Sequence, residues 1–424
     1  MPFLKRLNRD HSWFFDLLIL SGLYLFLRLW HFPTLFAFNP DQALHLFEAK
    51  QMVVNQDWRL VGPMVSSKVY EGRGFFIGPQ YYYLLGVLGI ITNWSPYLIT
   101  LILMFLNLGV ILLLVRLTRR KFGHLSAALS FFLFALNPYL TSHAQHYWNP
   151  HFLIPLSIFL ILVLGRYWRK DSWIFLLLVG FIWGNGISFH YSALLWGLPI
   201  FIVLFKKNKG FLKIVKLGLI VLGGLFLGNL PWFLFELRNN FYNLKTMAFV
   251  FANLRETKFA TIRFFVFPLV SFFFLLFAWS FKKILKFKTG WFFLGIITLL
   301  SLRGVDLNRA WPKGGIKGWS WVYQNQVASL ITEDGCPESF NVASSASPDA
   351  KAYDLRLLLD NLGCQSLGGA EYPQSSTLFL VAPKERLPLN EEIWEVASLK
   401  PFFIKREVFL NDYVIFYELA KIEE

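Results

Sequence analysis

Membrane-length apolar runs follow one another through residues 1–305, and clusters of lysine and arginine punctuate them at regular intervals. The clusters are Lys5/Arg6/Arg9, Arg116/Arg119/Arg120/Lys121, Arg166/Arg169/Lys170, Lys206/Lys207/Lys209/Lys213/Lys216 and Lys282/Lys283/Lys286/Lys288. Short loops that pass to the outside are depleted of these residues, so each cluster reads as cytoplasmic. An even number of crossings must then separate each cluster from the next. That parity sorts every loop to one side of the bilayer.

Three apolar runs, 13–30, 79–92 and 97–115, lie between Arg9 and Arg116. Three full crossings would put the second cluster outside. The middle run, about 14 residues, makes roughly 21 Å of helix, short of a hydrocarbon core of about 30 Å. Its Tyr81-Tyr82-Tyr83 cluster suits the aromatic belt at an interface. It is read as an interfacial helix inside one large outer loop, residues 31–96. Further crossings are expected at 124–141, 151–165, 172–187, 191–205, 214–235, 262–281 and 290–303, with outer loops at 142–150 and 236–260. The first run is too long for a signal-peptide core and lacks a small-residue cleavage site after it, so it is expected to stay as a span.

Apolar residues make up 55% of the 424-residue chain and charged ones 16%, which is too apolar for one soluble core. Residues 1–305 hold 30 Lys/Arg and 9 Asp/Glu, whereas residues 306–424 hold 11 and 17. The cations therefore sit between apolar runs, where anionic lipid and not nucleic acid is the partner. The fold class expected is mainly α: a polytopic transmembrane bundle of about nine spans plus interfacial helices, residues 1–305, with a small C-terminal extracytoplasmic α/β domain, residues 306–424. The N-terminus is expected to be cytoplasmic and the membrane to be the plasma membrane. In the tail, 319–331 and 348–362 read as helices and 340–343, 378–382 and 413–419 as strands. Cys336 and Cys364 are either a disulfide, if the tail lies in an oxidising compartment, or two inert thiols.

The acids narrow the chemistry. Asp10, Asp16 and Asp171 fall on the cytoplasmic side, and Asp41, Glu48, Asp57, Glu71, Glu236 and Glu256 on the outer side. None lies at mid-bilayer depth, where many ion-coupled carriers place a carboxylate. Asn39-Pro40-Asp41-Gln42 is a helix start, with Asn as cap, Pro at the first position and Gln42 completing a capping box. A helix from Pro40 to about Asn55 puts Asp41, His45 and Glu48 on one polar stripe and Leu44, Phe47 and Val54 on an apolar one. Asp41 then either stabilises the helix dipole or accepts a hydroxyl proton as a carboxylate ionised across the neutral range. Arg28 and Arg238 either reach toward lipid headgroups or bind the phosphate of a lipid-linked substrate. His143, His146 and His190 also lie at the outer rim, where isolated histidines are ordinarily structural, so no metal site is assigned to them.

At these residues the chain resembles the C-type glycosyltransferases, in the bacterial branch related to protein O-mannosyltransferases and the lipid A aminoarabinose transferase. The resemblance is carried by Arg28-Leu29 with Phe32-Pro33, Asp41-Gln42-Ala43, Gly78-Pro79-Gln80-Tyr81-Tyr82-Tyr83-Leu84, Trp148-Asn149-Pro150 and Glu236-Leu237-Arg238-Asn239. It implies an inverting transfer from a polyprenyl-phosphate sugar to a hydroxyl of a protein, lipid or glycan acceptor, with Asp41 catalytic. Arg28, His45, Glu48, Tyr82, His146, Asn149, His190, Glu236 and Arg238 would line the substrate site. Relatives often carry Asp-Glu where Asp41-Gln42 stands, and an acid near Trp148-Asn149-Pro150, so a divalent cation as cofactor is not assumed. The competing readings are a transporter of polyprenyl-linked glycan or lipid without chemistry, and a scaffold whose tail recruits partners.

Overall fold

The computed structural model describes residues 2–36, 38–70, 73–252, 266–312, 317–347 and 349–422. The start of the run expected at 262–281, part of the segment 236–260 read as an outer loop, and Pro348, the expected start of a tail helix, lie outside them.

The protein is mainly helical. Pro96–Phe122 shows how the sequence sets such a helix: Ser95 Oγ accepts from the Leu98 N–H, Pro96 opens the first turn, Arg119, Arg120 and Lys121 crowd the last, and Gly123 at φ 98° ends it. Among the described residues four helical stretches are long and apolar enough to cross a membrane: Pro96–Phe122, Asn149–Arg169, Phe211–Gly228 and Phe267–Ile284. A fifth forms if His124–Leu136 and Pro138–Ala144, bent by 63°, count as one. Asn137 adopts an extended backbone there because Pro138 follows it, and its Oδ1 accepts from the Leu140 N–H at 3.0 Å. Shorter apolar helices include Gln80–Thr92 and Trp173–Phe189, and Pro2–Leu29 opens the chain. The run expected at 214–235 is not one helix: it breaks at Asn229 into Phe211–Gly228 and Leu230–Arg238, because Pro231 cannot supply the N–H that continuity needs.

Glycines set the closest helix pair. Gly180 and Gly184 of Trp173–Phe189 face Gly224 and Gly228 of Phe211–Gly228, each helix showing two glycines four residues apart. A Cβ on Gly180 would strike the Val221 carbonyl, on Gly184 the Leu225 carbonyl, and on Gly224 the Leu177 carbonyl. Without Cβ atoms the two backbones touch, which is how apolar helices gain packing where burial from water offers nothing.

Residues 31–96 contain the helix Pro40–Val54, a hairpin of β1 (Met64–Tyr70) with β2 (Arg73–Phe76), and Gln80–Thr92. The helix start is as the sequence predicts: Gln42 Oε1 accepts from the Asn39 N–H at 2.9 Å. Its buried face differs from the expectation. Gln42, Ala43, Leu46, Ala49 and Met52 are buried, while Val54 is 61% exposed. The alanines admit Gln80–Thr92 closely, Met52 and Val53 resting near Gly86, and Phe47 turns instead to Tyr353 of the tail, 6.0 Å between rings.

In the tail, β3 (Phe340–Ser344), β4 (Thr377–Pro383), β5 (Phe402–Phe409) and β6 (Val414–Lys421) form one sheet in the order β3-β4-β6-β5. The β3–β4 pair is parallel and the others antiparallel. Val342, Phe379, Val381 and Phe416 pack one face against the helices Trp321–Thr332 and Tyr353–Asn361, while Leu378, Leu380, Ile415 and Tyr417 pack the other against Val396 and Leu399. Cys336 and Cys364 are bonded, with Cα atoms 5.4 Å apart.

The tail docks on the Pro40–Val54 helix. Lys50 Nζ meets Asp360 at 2.5 Å and donates to Asn361 Oδ1 at 2.8 Å, and Asn361 Nδ2 donates to the Trp94 carbonyl at 3.1 Å. Trp321 inserts among Phe36, Phe38 and Tyr97, and Gln324 Nε2 donates to the Phe38 carbonyl.

Candidate active site

Pro40 and the Asn39–Gln42 cap fix the first turn of the Pro40–Val54 helix, and Asp41 projects from it with its side chain open to solvent. The helix dipole favours the ionised form of this carboxylate. Crowding by protein acts the other way and raises the Asp41 carboxyl above the ordinary value, and the Asp349 carboxylate of the tail raises it further. Gln42 is turned inward as the cap and cannot join Asp41 at the surface. Tyr147 holds this turn from behind, its hydroxyl donating to the Gln42 carbonyl at 3.3 Å.

His45 and Glu48 follow on the same helix. His45 lies edge-on to Tyr81 and Tyr82, ring centres 5.6 and 6.0 Å away, and burial lowers its imidazole to about 4, so it is neutral. Glu48 is paired with Arg59, whose guanidinium also lies 5.7 Å over the Tyr82 ring. Asp41, His45, Glu48 and Tyr82 are thus one group.

The Glu236–Arg238 stretch makes the second. Arg238 is exposed and lines a cleft of about 440 Å³ with Phe76, Phe235, Asn239, Asn240 and Tyr242. Among the described residues no carboxylate pairs with it. Glu236, expected to touch substrate, is instead buried, accepting from the Asn243 N–H, Asn243 Nδ2 and the Leu244 N–H, which fastens the Tyr242–Ala252 helix beside the cleft. Asn243 Oδ1 in turn accepts from the Phe76 N–H at 2.7 Å.

Aromatic contacts join the two groups. Tyr81 approaches Phe189 at 6.5 Å, Tyr191 lies 5.1 Å from Phe75 and donates to the Phe76 carbonyl, and Phe76 meets Phe235 at 6.1 Å. His190 sits within this wall, its Nδ1 2.8 Å from Ser192 Oγ and its imidazole lowered to about 4 by burial. Asn149 is buried and donates to the Phe189 carbonyl, bracing the wall from behind. Arg28, expected at the rim, is 1% exposed: its guanidinium lies 3.6 Å over Tyr24 and donates to the carbonyls of Tyr24 and Ala135.

These elements carry an accessible carboxylate, a guanidinium with no paired carboxylate among the described residues, and a run of aromatic contacts, set among apolar helices. Residues 78–233 match the dolichyl-phosphate-mannose-protein mannosyltransferase family. The match runs from the Gly78-Pro79 segment to residue 233, in the first turn of the Leu230–Arg238 helix, and supports a membrane glycosyltransferase of the C type, mannosyltransferase-like. Asp41 and Arg238 flank the segment matched to that mannosyltransferase family. No curated protein and no solved structure matches the chain.

Two features escaped the sequence reading. Asp349 reaches Asp41 from the far end of the chain, where no local pattern points to it. His143 and His146 are not isolated, because His151 joins them, and the spacing His143, His146, His151 was the available signal.

Proposed function

We propose that this protein is an inverting glycosyltransferase that moves a sugar from a polyprenyl-phosphate donor to a hydroxyl of a protein, lipid or glycan acceptor, at the outer face of the plasma membrane. The observation that carries the reading is Asp41, a solvent-open carboxylate at a capped helix start, together with Arg238, exposed in a cleft lined by Phe76, Phe235 and Tyr242.

Asp41 accepts the proton of the acceptor hydroxyl as that oxygen attacks the anomeric carbon. The bond from this carbon to the phosphate oxygen breaks, its electron pair leaves with the phosphate, and Arg238 offsets the charge that collects there. A lipid phosphate leaves without a general acid, so one base and one cation are sufficient. Tyr82, His45 and Glu48 flank the base, and the wall around His190 is the surface along which the donor lies. The Cys336–Cys364 bond belongs to an oxidising compartment, which supports a tail on the outer side.

Asp41→Asn keeps the shape and removes the base, so transfer from a radiolabelled polyprenyl-phosphate sugar should fall by about 10²–10⁴-fold with donor binding kept. Arg238→Ala should weaken donor binding. Undiminished transfer by Asp41→Asn overturns the assignment of Asp41 as the base, and an absence of transfer by the wild type leaves transport of the lipid-linked substrate as the better reading.

A further inference from the structure

The Ser142–Pro150 loop and its flanks hold a cluster that the transfer chemistry does not use. His143 ends the Pro138–Ala144 helix, His146 follows it and His151 lies in the 3₁₀ turn Asn149–Phe152. One nitrogen of each lies within 4.8 Å of one from each of the others, and the ring centres are 4.8 to 5.3 Å apart.

Two of the rings are fixed in the tautomer a cation needs. His146 Nδ1 is 3.2 Å from the Ser142 carbonyl and His151 Nδ1 is 3.3 Å from the His146 carbonyl. A carbonyl only accepts, so each Nδ1 carries the proton and each Nε2 carries a lone pair. Backbone carbonyls hold metal-bound histidines in this way. His151 Nε2 is buried and, among the described residues, has no hydrogen-bond partner.

These rings line a small cavity, about 20 Å³, together with Asn107, whose Oδ1 is also buried and unpartnered among the described residues. A space of this size suits one ion or one water, and two lone pairs facing it with no donor call for a cation. Phe267 and Tyr139 close it on the His143 side, at 5.1 and 4.1 Å.

We propose that His143, His146 and His151 bind one divalent first-row transition-metal ion, zinc being the best match, with Asn107 Oδ1 or a water as fourth ligand. Imidazole donors favour zinc, copper and nickel over magnesium or calcium, and three histidines with one open position form a known zinc geometry. At zinc–nitrogen distances of about 2.0–2.1 Å the three nitrogens stand about 3.3 Å apart, so the rings close by about an ångström on binding. The ion ties the end of one bent helix to the start of the next and steadies Tyr147, whose hydroxyl supports the turn that carries Asp41.

The test uses full-length protein purified in detergent without chelator, loaded with Zn²⁺, desalted and assayed by elemental analysis. Wild type should retain about one equivalent, as a preformed site does. His151→Ala and His146→Ala, checked for monodispersity, should lose it, and His45→Ala should keep it. Wild-type protein loaded with Co²⁺ should show the intense visible bands of a four-coordinate ion, a readout that needs no variant. Zinc lost from wild type on desalting, a pale six-coordinate cobalt spectrum, or loss in His45→Ala with retention in His151→Ala would each overturn the site.

Discussion

At the scale of single residues, two carboxylates from distant parts of the chain set the pH response. Crowding by protein and, second to it, the like charge of Asp349 raise the Asp41 carboxyl, so the proton stays on Asp41 to a higher pH than on an ordinary aspartate. A base works only when ionised. Activity should therefore fall as pH drops through the raised value, placing the acid limb above the ordinary aspartate range. Asp349→Asn removes the like charge, lowers the Asp41 value and should move that limb to lower pH while the neutral-pH rate stays near wild type. The substitution keeps an oxygen for the Tyr353 N–H that Asp349 now accepts at 2.9 Å. Because the pair is partly solvated, salt should shrink the displacement. The check is the pH profile of sugar transfer for both proteins, and a limb that does not move refutes the coupling. The capped start of the Pro40–Val54 helix was legible because Asn39, Pro40 and Gln42 act within one turn; the neighbour that tunes Asp41 was not, because only tertiary packing brings it there.

At the scale of elements, the apolar runs announced the long apolar helices, since helix-length burial needs little beyond hydrophobicity, but not Tyr242–Ala252, which falls in a stretch read as loop. What they concealed was interruption and facing. Pro231 splits an unbroken apolar run, and the alanines of the Pro40–Val54 helix outcompete Phe47 and Val54 for the inner face because small side chains admit a neighbouring helix. The β1–β2 hairpin and β5 were missed; β5 exposes most of Phe402–Phe409, with Lys405, Arg406 and Glu407 in its middle, so it lacks the apolar signal of a buried strand. The glycine pairs give the sharpest prediction here. Gly184→Val would drive a β-branched side chain into the Leu225 carbonyl, where neither backbone can yield without separating the helices. A loss of about 1–3 kcal/mol is expected from such overpacking. Gly109→Val, with open space at its Cβ, is the control. Thermal unfolding of both variants in detergent checks it, and equal midpoints would refute a packing role for Gly184.

At the scale of the whole molecule, one contact restricts how the chain threads the bilayer. Lys50 and Asp360 touch, and Trp321 sits among Phe36, Phe38 and Tyr97, so the Pro40–Val54 helix and the tail lie on the same side of the membrane. An even number of crossings must therefore separate residue 54 from residue 321. Among the described residues four helical stretches in that interval, or five with the bent pair, are long and apolar enough to cross. The eight crossings expected at the runs from 97–115 to 290–303 would meet the condition, and a ninth at Gln80–Thr92 would break it. That helix has 13 residues, about 20 Å at 1.5 Å each, which is too short for the core on length alone. The charge clusters and the tail contact are independent, one resting on loop composition and the other on packing, and they require the same parity. Cysteines introduced at Ser66 and Ser347 should both react in intact cells with a membrane-impermeant maleimide. The native Cys336 and Cys364 are bonded to each other and add no background. Reaction at one position only would separate Asp41 from the tail that contacts its helix, and reaction at neither before permeabilisation would place the whole site on the cytoplasmic side, where the positive clusters belong.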